Sequence, residues 1–336
     1  MGNQRLGSSS NMVVSRTPLR LSFAGGGTDL FAFYSREYGS VLSTTINRYV
    51  YVTAKKHGEL FNDPIRLNYS DTEMVDSIDE IKNSIIRECL RFIDVQYPIY
   101  ISIVSDVPAS SGLGSSSSFT VGLLNALYAL QGERVSIGQL AKDAVHVEKN
   151  MLNQPVGKQD HYAAAYGGFN LFRFNPDESV SVTPLCLSVD FIKNLNKHVM
   201  LFWTNMVRDS VTILSEQQNE TENNFSSLQA MREQALQIQS LFQSPFDPVA
   251  IGRLLTDSWK LKTNLASSIT NAKLDSWFNL ALQAGAYGGK LCGAGGGGFF
   301  LFIIDPKKQM AVRNALKDLQ EIPIDFESQG STILLS

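Results

Sequence analysis

Glycine is placed unevenly along this chain, and that placement constrains the fold more than any other feature. The 336 residues include 25 Gly, an ordinary number for the length. The informative ones fall in four clusters: Gly25 to Gly27, Gly112 with Gly114, Gly157 with Gly167 and Gly168, and Gly285 to Gly298, which holds eight Gly in fourteen residues. Clustered Gly marks backbone that must take positive φ or let something approach closely. Four such clusters point to a chain folded around a bound ligand more than to a set of ordinary turns.

Composition narrows the class. Hydrophobic residues make up 43% and charged residues 18%, which supports a sizeable core and excludes a disordered chain. At about 150 residues per domain the length suggests two domains. Lys plus Arg (29) against Asp plus Glu (32) leaves a net charge of −3, so no nucleic-acid or anionic-membrane partner is expected. Cys89, Cys186 and Cys292, like the four His, are scattered and give neither a disulfide framework nor metal-ligand spacing. The longest strongly apolar run, Phe299 to Ile304, is far too short to span a bilayer. The Gly/Ser/Asn-rich residues 1–12 have no apolar core, so they read as a disordered N-terminus and not a signal peptide. A soluble, cytoplasmic monomer or homodimer is expected.

Periodicity gives a mixed α+β order. Strands are expected at Val13 to Ala24, Val41 to Lys56, Ile65 to Tyr69 and Tyr100 to Val104. Helices are expected at Ile78 to Asp94, Ser115 to Leu130 and Ser136 to Leu152, the last with Ser136 as N-cap. Gly168 to Phe174 and Val180 to Leu185 read as a hairpin around Pro176-Asp177. After a strand at Val199 to Trp203, the chain from Asp209 to Ala286 reads as nearly all helix, broken around Ser244 to Pro248. A strand at Phe299 to Ile304, a helix at Pro306 to Leu319 and two short strands close it. The division is expected near residue 190, giving domains 13–190 and 191–336.

Four segments carry chemistry. In Val107-Pro108-Ala109-Ser110-Ser111-Gly112-Leu113-Gly114-Ser115-Ser116-Ser117-Ser118 a strand leads through two Gly into an apolar helix. Such a loop turns N–H groups into a concave nest, and the helix N-terminus adds positive potential suited to a phosphate. The serines add donors and hard oxygen ligands for Mg²⁺. It is not a Walker A loop, because Gly157-Lys158 and Gly289-Lys290 lack a following Ser or Thr. The second segment joins Glu148 to Pro155-Val156-Gly157-Lys158-Gln159-Asp160. There Glu148 can hold a divalent ion and Asp160 can accept a proton from a substrate hydroxyl. In the third, Arg16 to Asp29, Arg20 shares a strand face with Ser22, and Asp29 follows a Gly turn, placed to bind polyol hydroxyls. The fourth, Lys290 to Gly298, contains Gly-x-Gly-x-x-Gly, but a strand follows it where a dinucleotide fold needs a helix. It reads as a Gly loop able to press against a ligand.

In this order the four segments resemble the GHMP small-molecule kinases over nearly the whole chain. The specific core is Pro-x3-Gly-Leu-Gly-Ser-Ser at Pro108 to Ser116. Within the family, Ala24 to Asp29, Pro155 to Asp160 and Leu67 to Ser77 look most like the D-glycero-D-manno-heptose 7-phosphate kinases. The resemblance implies a two-domain fold, ribosomal-protein-like then ferredoxin-like, with the site between the domains. It implies that Pro108 and Ser111 to Ser117 wrap the phosphates of ATP, and that Ser116 and Glu148 hold Mg²⁺. Asp160 would be the catalytic carboxylate, stabilised by Arg20. Gly26, Gly27, Thr28 and Asp29 would bind the sugar, and Gly295, Gly296 and Gly297 would shape the site. The substrate's own phosphate would fall to Arg48, Lys158 or Arg208. Galactokinases carry Glu-His where this chain has Gly26-Gly27, which argues against galactose. The expected reaction is phosphorylation of the anomeric hydroxyl of a heptose 7-phosphate to the 1,7-bisphosphate, for nucleotide-activated heptose. The alternatives are another sugar 1-kinase, such as a fucokinase-like one, or a sensor that kept the fold.

Overall fold

The computed structural model describes residues 11–58, 60–207 and 210–336. Most of the stretch expected to be disordered, and Arg208, lie outside these residues, while Met12 already opens the first strand.

The centre of the first sheet is a long antiparallel pair, β1 (Met12–Ala24) and β2 (Gly39–Lys56), which runs from Met12 opposite Lys55 to Ala24 opposite Leu42 with register shifts after Pro18 and after Ser22. Their β-branched and aromatic residues suit a pleated, largely buried surface. Beyond β2 lie β5 (Ile99–Ser105), β3 (Ile65–Asn68) and β4 (Thr72–Val75), with β3 parallel to β5. The start of β2 also pairs with β6 (Asn170–Phe174), which forms the expected hairpin with β7 (Val180–Pro184). Across β1 and β2 packs α3 (Ser115–Gln131), apolar on nearly all sides and buried along most of its length.

The second sheet has four antiparallel strands in the order β11 (Gln320–Ile322), β8 (Val199–Trp203), β10 (Phe299–Ile304), β9 (Ala286–Leu291). Every residue of β8 and β10 is buried, as continuous apolar strands require. On it pack α9 (Pro248–Thr263) and α10 (Ala272–Gln283), with α11 (Gln309–Ala315) against α10, while α8 (Phe225–Phe242) packs on α9 and on β1 and β2 of the first sheet. The last two strands, β12 (Phe326–Glu327) and β13 (Thr332–Leu335), return to the first sheet and pair with β2 and β1. Residues 326–335, expected in the second domain, are thus part of the first sheet.

Two helices differ from expectation. The region Ile78 to Asp94 is a single 3₁₀ turn at Ile78–Glu80 followed by α2 (Ser84–Phe92). The Glu73 carboxylate accepts the amides of Lys82 (2.7 Å) and Asn83 (3.1 Å), and Asn83 then caps α2 through the Ile86 amide. These side-chain bonds compete with a continuous helix. From Ser136, which caps α4 (Ile137–Val145) through the Gln139 amide, the chain continues as a π-helical turn, His146–Met151. Such turns insert one residue per hydrogen-bonded ring and recur at functional sites.

Helix α9 meets β9 backbone to backbone. A Cβ on Gly252 would lie 2.8 Å from the Tyr287 carbonyl carbon, and one on Gly288 would lie 1.9 Å from the Gly252 carbonyl oxygen. In an exposed helix Gly→Ala gains up to about 1 kcal/mol. Here overpacking of about 1–3 kcal/mol opposes it. Gly252→Ala is therefore expected to lower the urea midpoint of unfolding; an unchanged or raised midpoint would show that the two backbones are free to move apart.

Candidate active site

The expected phosphate loop joins β5 to α3. Gly112 (φ 82°) and Gly114 (φ 75°) take left-handed conformations, Gly114 as the N-cap, and only Gly does so without strain. The first N–H groups of α3 have no partner inside the helix, and beside them Ser115, Ser116 and Ser117 line a cleft of about 270 Å³. Ser118 turns inward and donates to the Pro18 carbonyl (2.9 Å), while fully buried Leu113 anchors the loop to the core. The loop also touches the Gly-rich turn after β9. A Cβ on Gly293 (φ 77°) would fall 2.5 Å from the Gly112 Cα, and one on Gly112 would fall 2.6 Å from the Cys292 carbonyl oxygen.

Arg20 reaches this seam from β1. Its Nε and Nη2 donate to the two carboxylate oxygens of Asp160 (2.7 and 2.6 Å), and its Nη1 donates to the Gly112 carbonyl (2.6 Å). Burial works against the Arg20 charge, and the paired Asp160 carboxylate more than offsets it, so the guanidinium titrates above its ordinary range. Asp160 sits in the first turn of α5 (Gln159–Tyr166).

Asp29 lies beside this pair. One carboxylate oxygen accepts the Gly27 amide (3.0 Å) and Gln159 Nε2 (2.8 Å), the other the Gln159 amide (3.1 Å). Burial and the nearby Asp160 raise its pKa; the amide donors oppose them. Gly157 makes this placement possible, since a Cβ there would lie 1.9 Å from Asp29 Oδ2.

Glu148 comes from the π-helical turn and is almost fully buried. Its carboxylate accepts the Thr120 hydroxyl and lies 3.3 Å from His161 Nε2. Thr120 also donates to the Ser116 carbonyl (3.2 Å), so Ser116 and Glu148 are bridged along one wall of the cleft. Neither ring nitrogen of buried His161 has a hydrogen-bond partner.

The structure therefore gathers Arg20, Gly26, Gly27, Asp29, Gly112, Gly114, Ser115 to Ser117, Glu148, Asp160, Gly295 and Gly297 around one cleft. Other expected residues stand elsewhere. Thr28 is fully buried; its hydroxyl donates to the Gly25 carbonyl (2.8 Å) and accepts the Ser40 amide (3.0 Å), so it shapes the turn and does not face a substrate. Lys158 points away, with Nζ on the Glu178 carbonyl (2.8 Å) and over the Tyr34 ring (4.5 Å). Arg48 donates to backbone carbonyls of Asn47 and Pro323. Pro108 is exposed at the start of the loop, Ser111 and Leu113 are buried beneath it, and the Gly296 amide donates to the Ile269 carbonyl (2.7 Å). The cleft also holds residues that sequence reasoning missed. Ser22 has a buried hydroxyl with no partner, and Lys262 and Lys290 are buried cations. Lys290 lies within the fourth Gly cluster; nothing local distinguishes Lys262 from its exposed neighbour Lys260.

A glycine turn at a helix N-terminus, a carboxylate clamped by an arginine and a second, buried carboxylate line this one cleft, an arrangement suited to small-molecule phosphoryl transfer. Two family profiles match the chain: the GHMP kinases N terminal domain over residues 80–168 and the GHMP kinases C terminal over residues 227–321. The chain is 31% identical to the D-glycero-alpha-D-manno-heptose 7-phosphate kinase of Campylobacter jejuni, covering 93% of this chain and 95% of that one. A crystal structure described as a D-glycero-D-manno-heptose 1-phosphate kinase from Bacteroides thetaiotaomicron superposes with a TM-score of 0.79 at 26% identity, over 96% and 99% of the two chains. The Lactococcus lactis galactokinase complexed with galactose shares the fold, with a TM-score of 0.75 at 16% identity over 97% and 96%. The chain belongs to the GHMP kinase family. It is an enzyme, a phosphotransferase with an alcohol group as acceptor, and its relatives include sugar kinases. Among the described residues, no helix is long and apolar enough to cross a membrane.

Because Gly157 leaves room for Asp29, Gly157→Ala is expected to raise KM for the acceptor by about tenfold or more, the worth of a lost charged hydrogen bond. KM for the nucleotide should stay near normal. Steady-state kinetics with each substrate varied in turn checks this, and an unchanged acceptor KM would remove Asp29 from acceptor binding.

Proposed function

We propose that this enzyme uses ATP to phosphorylate the anomeric hydroxyl of D-glycero-D-manno-heptose 7-phosphate, giving the 1,7-bisphosphate for nucleotide-activated heptose. The observation that carries the reading is the Arg20–Asp160 pair, two bonds of 2.6–2.7 Å directly beside the phosphate loop. Asp29 opens into the same cleft, and the 31% identity to the Campylobacter jejuni enzyme favours its acceptor.

The residues divide the work. Residues 13–190 supply the phosphate loop and Asp160, while residues 191–336 supply the Gly293 to Gly298 loop and Lys262. The N–H groups of the Gly112 to Ser117 turn cradle the phosphates of ATP. Asp29, its orientation fixed by three N–H donors, accepts from sugar hydroxyls with its remaining lone pairs. Asp160, held in one orientation by Arg20, accepts the hydrogen bond of the attacking hydroxyl and takes its proton as the new P–O bond forms and the bond from the γ-phosphorus to the bridging oxygen breaks, that oxygen leaving on ADP. Arg20 and the helix N-terminus face the charge on the phosphoryl group. The Ser116 hydroxyl and the Glu148 carboxylate, both lining the cleft, would hold Mg²⁺, a hard cation that takes one or two protein oxygens and completes its shell with phosphate and water. Among the described residues, no cluster of three His, Cys, Asp or Glu competes for that role. When bound, the ion neutralises phosphate charge.

One observation favours a second reading, a kinase of a free sugar such as fucose: Lys158, expected at the substrate phosphate, is turned away and already paired with Glu178. A panel of heptose 7-phosphate, fucose, galactose, mannose and mevalonate, followed by ADP release with Mg-ATP, separates the two. Turnover confined to heptose 7-phosphate is expected; turnover with a free sugar instead would discard the phosphosugar. Asp160→Asn is expected to cut kcat by about 10² or more while a nucleotide titration still shows ATP binding. Retained turnover would take Asp160 out of proton transfer.

A further inference from the structure

We infer that Lys262 supplies a second cation to the phosphoryl group in transit, facing it from the side opposite Arg20. The inference rests on the reading of this cleft as the phosphoryl-transfer site.

Lys262 comes from the last turn of α9, in the helical layer of the second sheet, and its side chain is carried into the cleft. Only 7% of the residue is exposed. Its Nζ donates to the Gly293 carbonyl. Gly293 is the residue whose backbone touches Gly112, and Gly112 is the residue whose carbonyl accepts from Arg20. The two cations are therefore fastened to two carbonyls on either side of one backbone seam, the seam that edges the phosphate loop. An ammonium has three donors; one goes to Gly293.

Burying such a charge is costly unless it is paired. The charged groups that bear on it are Arg20 from β1, Asp29 from the Gly turn, Asp160 from α5 and Lys290 from β9. Burial and the Arg20 charge pull the Lys262 pKa down to about 8. A phosphoryl anion in the cleft compensates this desolvated cation. Lys290 is the weaker candidate. Its Nζ already donates to the carbonyls of Ser22 (2.9 Å) and Phe23 (3.3 Å), and burial with the neighbouring Lys262 brings it to about 7. In phosphoryl transfer, charge spreads over the equatorial oxygens, so two preorganised cations on different sides serve the transition state more than either ground state.

The test uses the full-length enzyme with Mg-ATP and an acceptor that the wild type turns over. If wild type releases no ADP with any acceptor, the reading of the site fails before Lys262 is at issue. Given wild-type turnover, Lys262→Met is expected to lower kcat about 10²-fold or more, the usual cost of one such donor. KM for ATP and acceptor should stay within about threefold. Lys262→Arg should recover at least about tenfold of that loss. Wild-type kcat in Lys262→Met would overturn the inference. So would an unchanged kcat with a tenfold higher acceptor KM, which would put the ammonium on the acceptor's own phosphate. Should Lys262→Met lower Tm enough to blur the comparison, Lys262→Gln, which keeps a donor for Gly293, is expected to show the same loss in kcat; its retention would equally refute the role.

Discussion

The site depends on where Arg20 is held. Its amide donates to the Leu113 carbonyl (3.0 Å), its guanidinium to the Gly112 carbonyl and both oxygens of Asp160. One residue of β1 therefore fixes three things that must agree to within a fraction of an ångström: a central strand, the phosphate loop and the first turn of α5. Charge-assisted bidentate bonds of this kind carry geometry as well as energy. The bonds to Asp160 and Gly112 use three of the guanidinium's five N–H donors, so Arg20 has little freedom to swing with the ligand. The arrangement is preorganised, which is where electrostatic catalysis gains most.

Charge balance in the cleft follows from that centre. Among the described residues the lining cations are Arg20, Lys262 and Lys290, and the lining carboxylates are Asp29, Glu148 and Asp160. They are not spread evenly. Glu148 stands apart with Ser116, Thr120 and His161, while the three cations cluster with Asp29 and Asp160 around the loop seam. Burial and the mutual repulsion of these cations lower the pKa of both lysines. That is the electrostatic signature of a place built to receive an anion.

What the sequence made legible was local. The loop at Pro108 to Ser118, the strand before it and the helix after it are read from adjacent residues, because a strand, two Gly and a helix start need no distant partner. Where sequence reasoning failed, distance or helical geometry decided. Lys158 is two residues from Asp160, and on a helix residues two apart point to different sides; Asp160 faces the cleft, so Lys158 faces Tyr34 and Glu178. Thr28 and Asp29 read as one polar pair, but the turn uses the Thr28 hydroxyl for its own carbonyls and amides. Lys260 and Lys262 look alike in the sequence, and only the packing of α9 on β9 exposes one and buries the other. The π-helical turn that aims Glu148 depends on one extra residue per ring, which no hydrophobic period reveals.

The path of the chain explains how a seam between two sheets can be held so closely. The second sheet spans Val199 to Ile322, while strands before and after it, β1 to β7 and β12 to β13, belong to the first. The second layer is thus bounded at both ends by strands hydrogen-bonded into the first sheet. The Gly112–Gly293 contact joins the two where they meet, with no Cβ on either side to hold them apart. Lys290 adds a second tie, from β9 to the carbonyls of Ser22 and Phe23 on β1. A hinge between the sheets would have to break buried backbone contacts at the phosphate loop itself. The helix α7 (Ser210–Asn219) completes the cleft wall with Val211, Leu214 and Gln217.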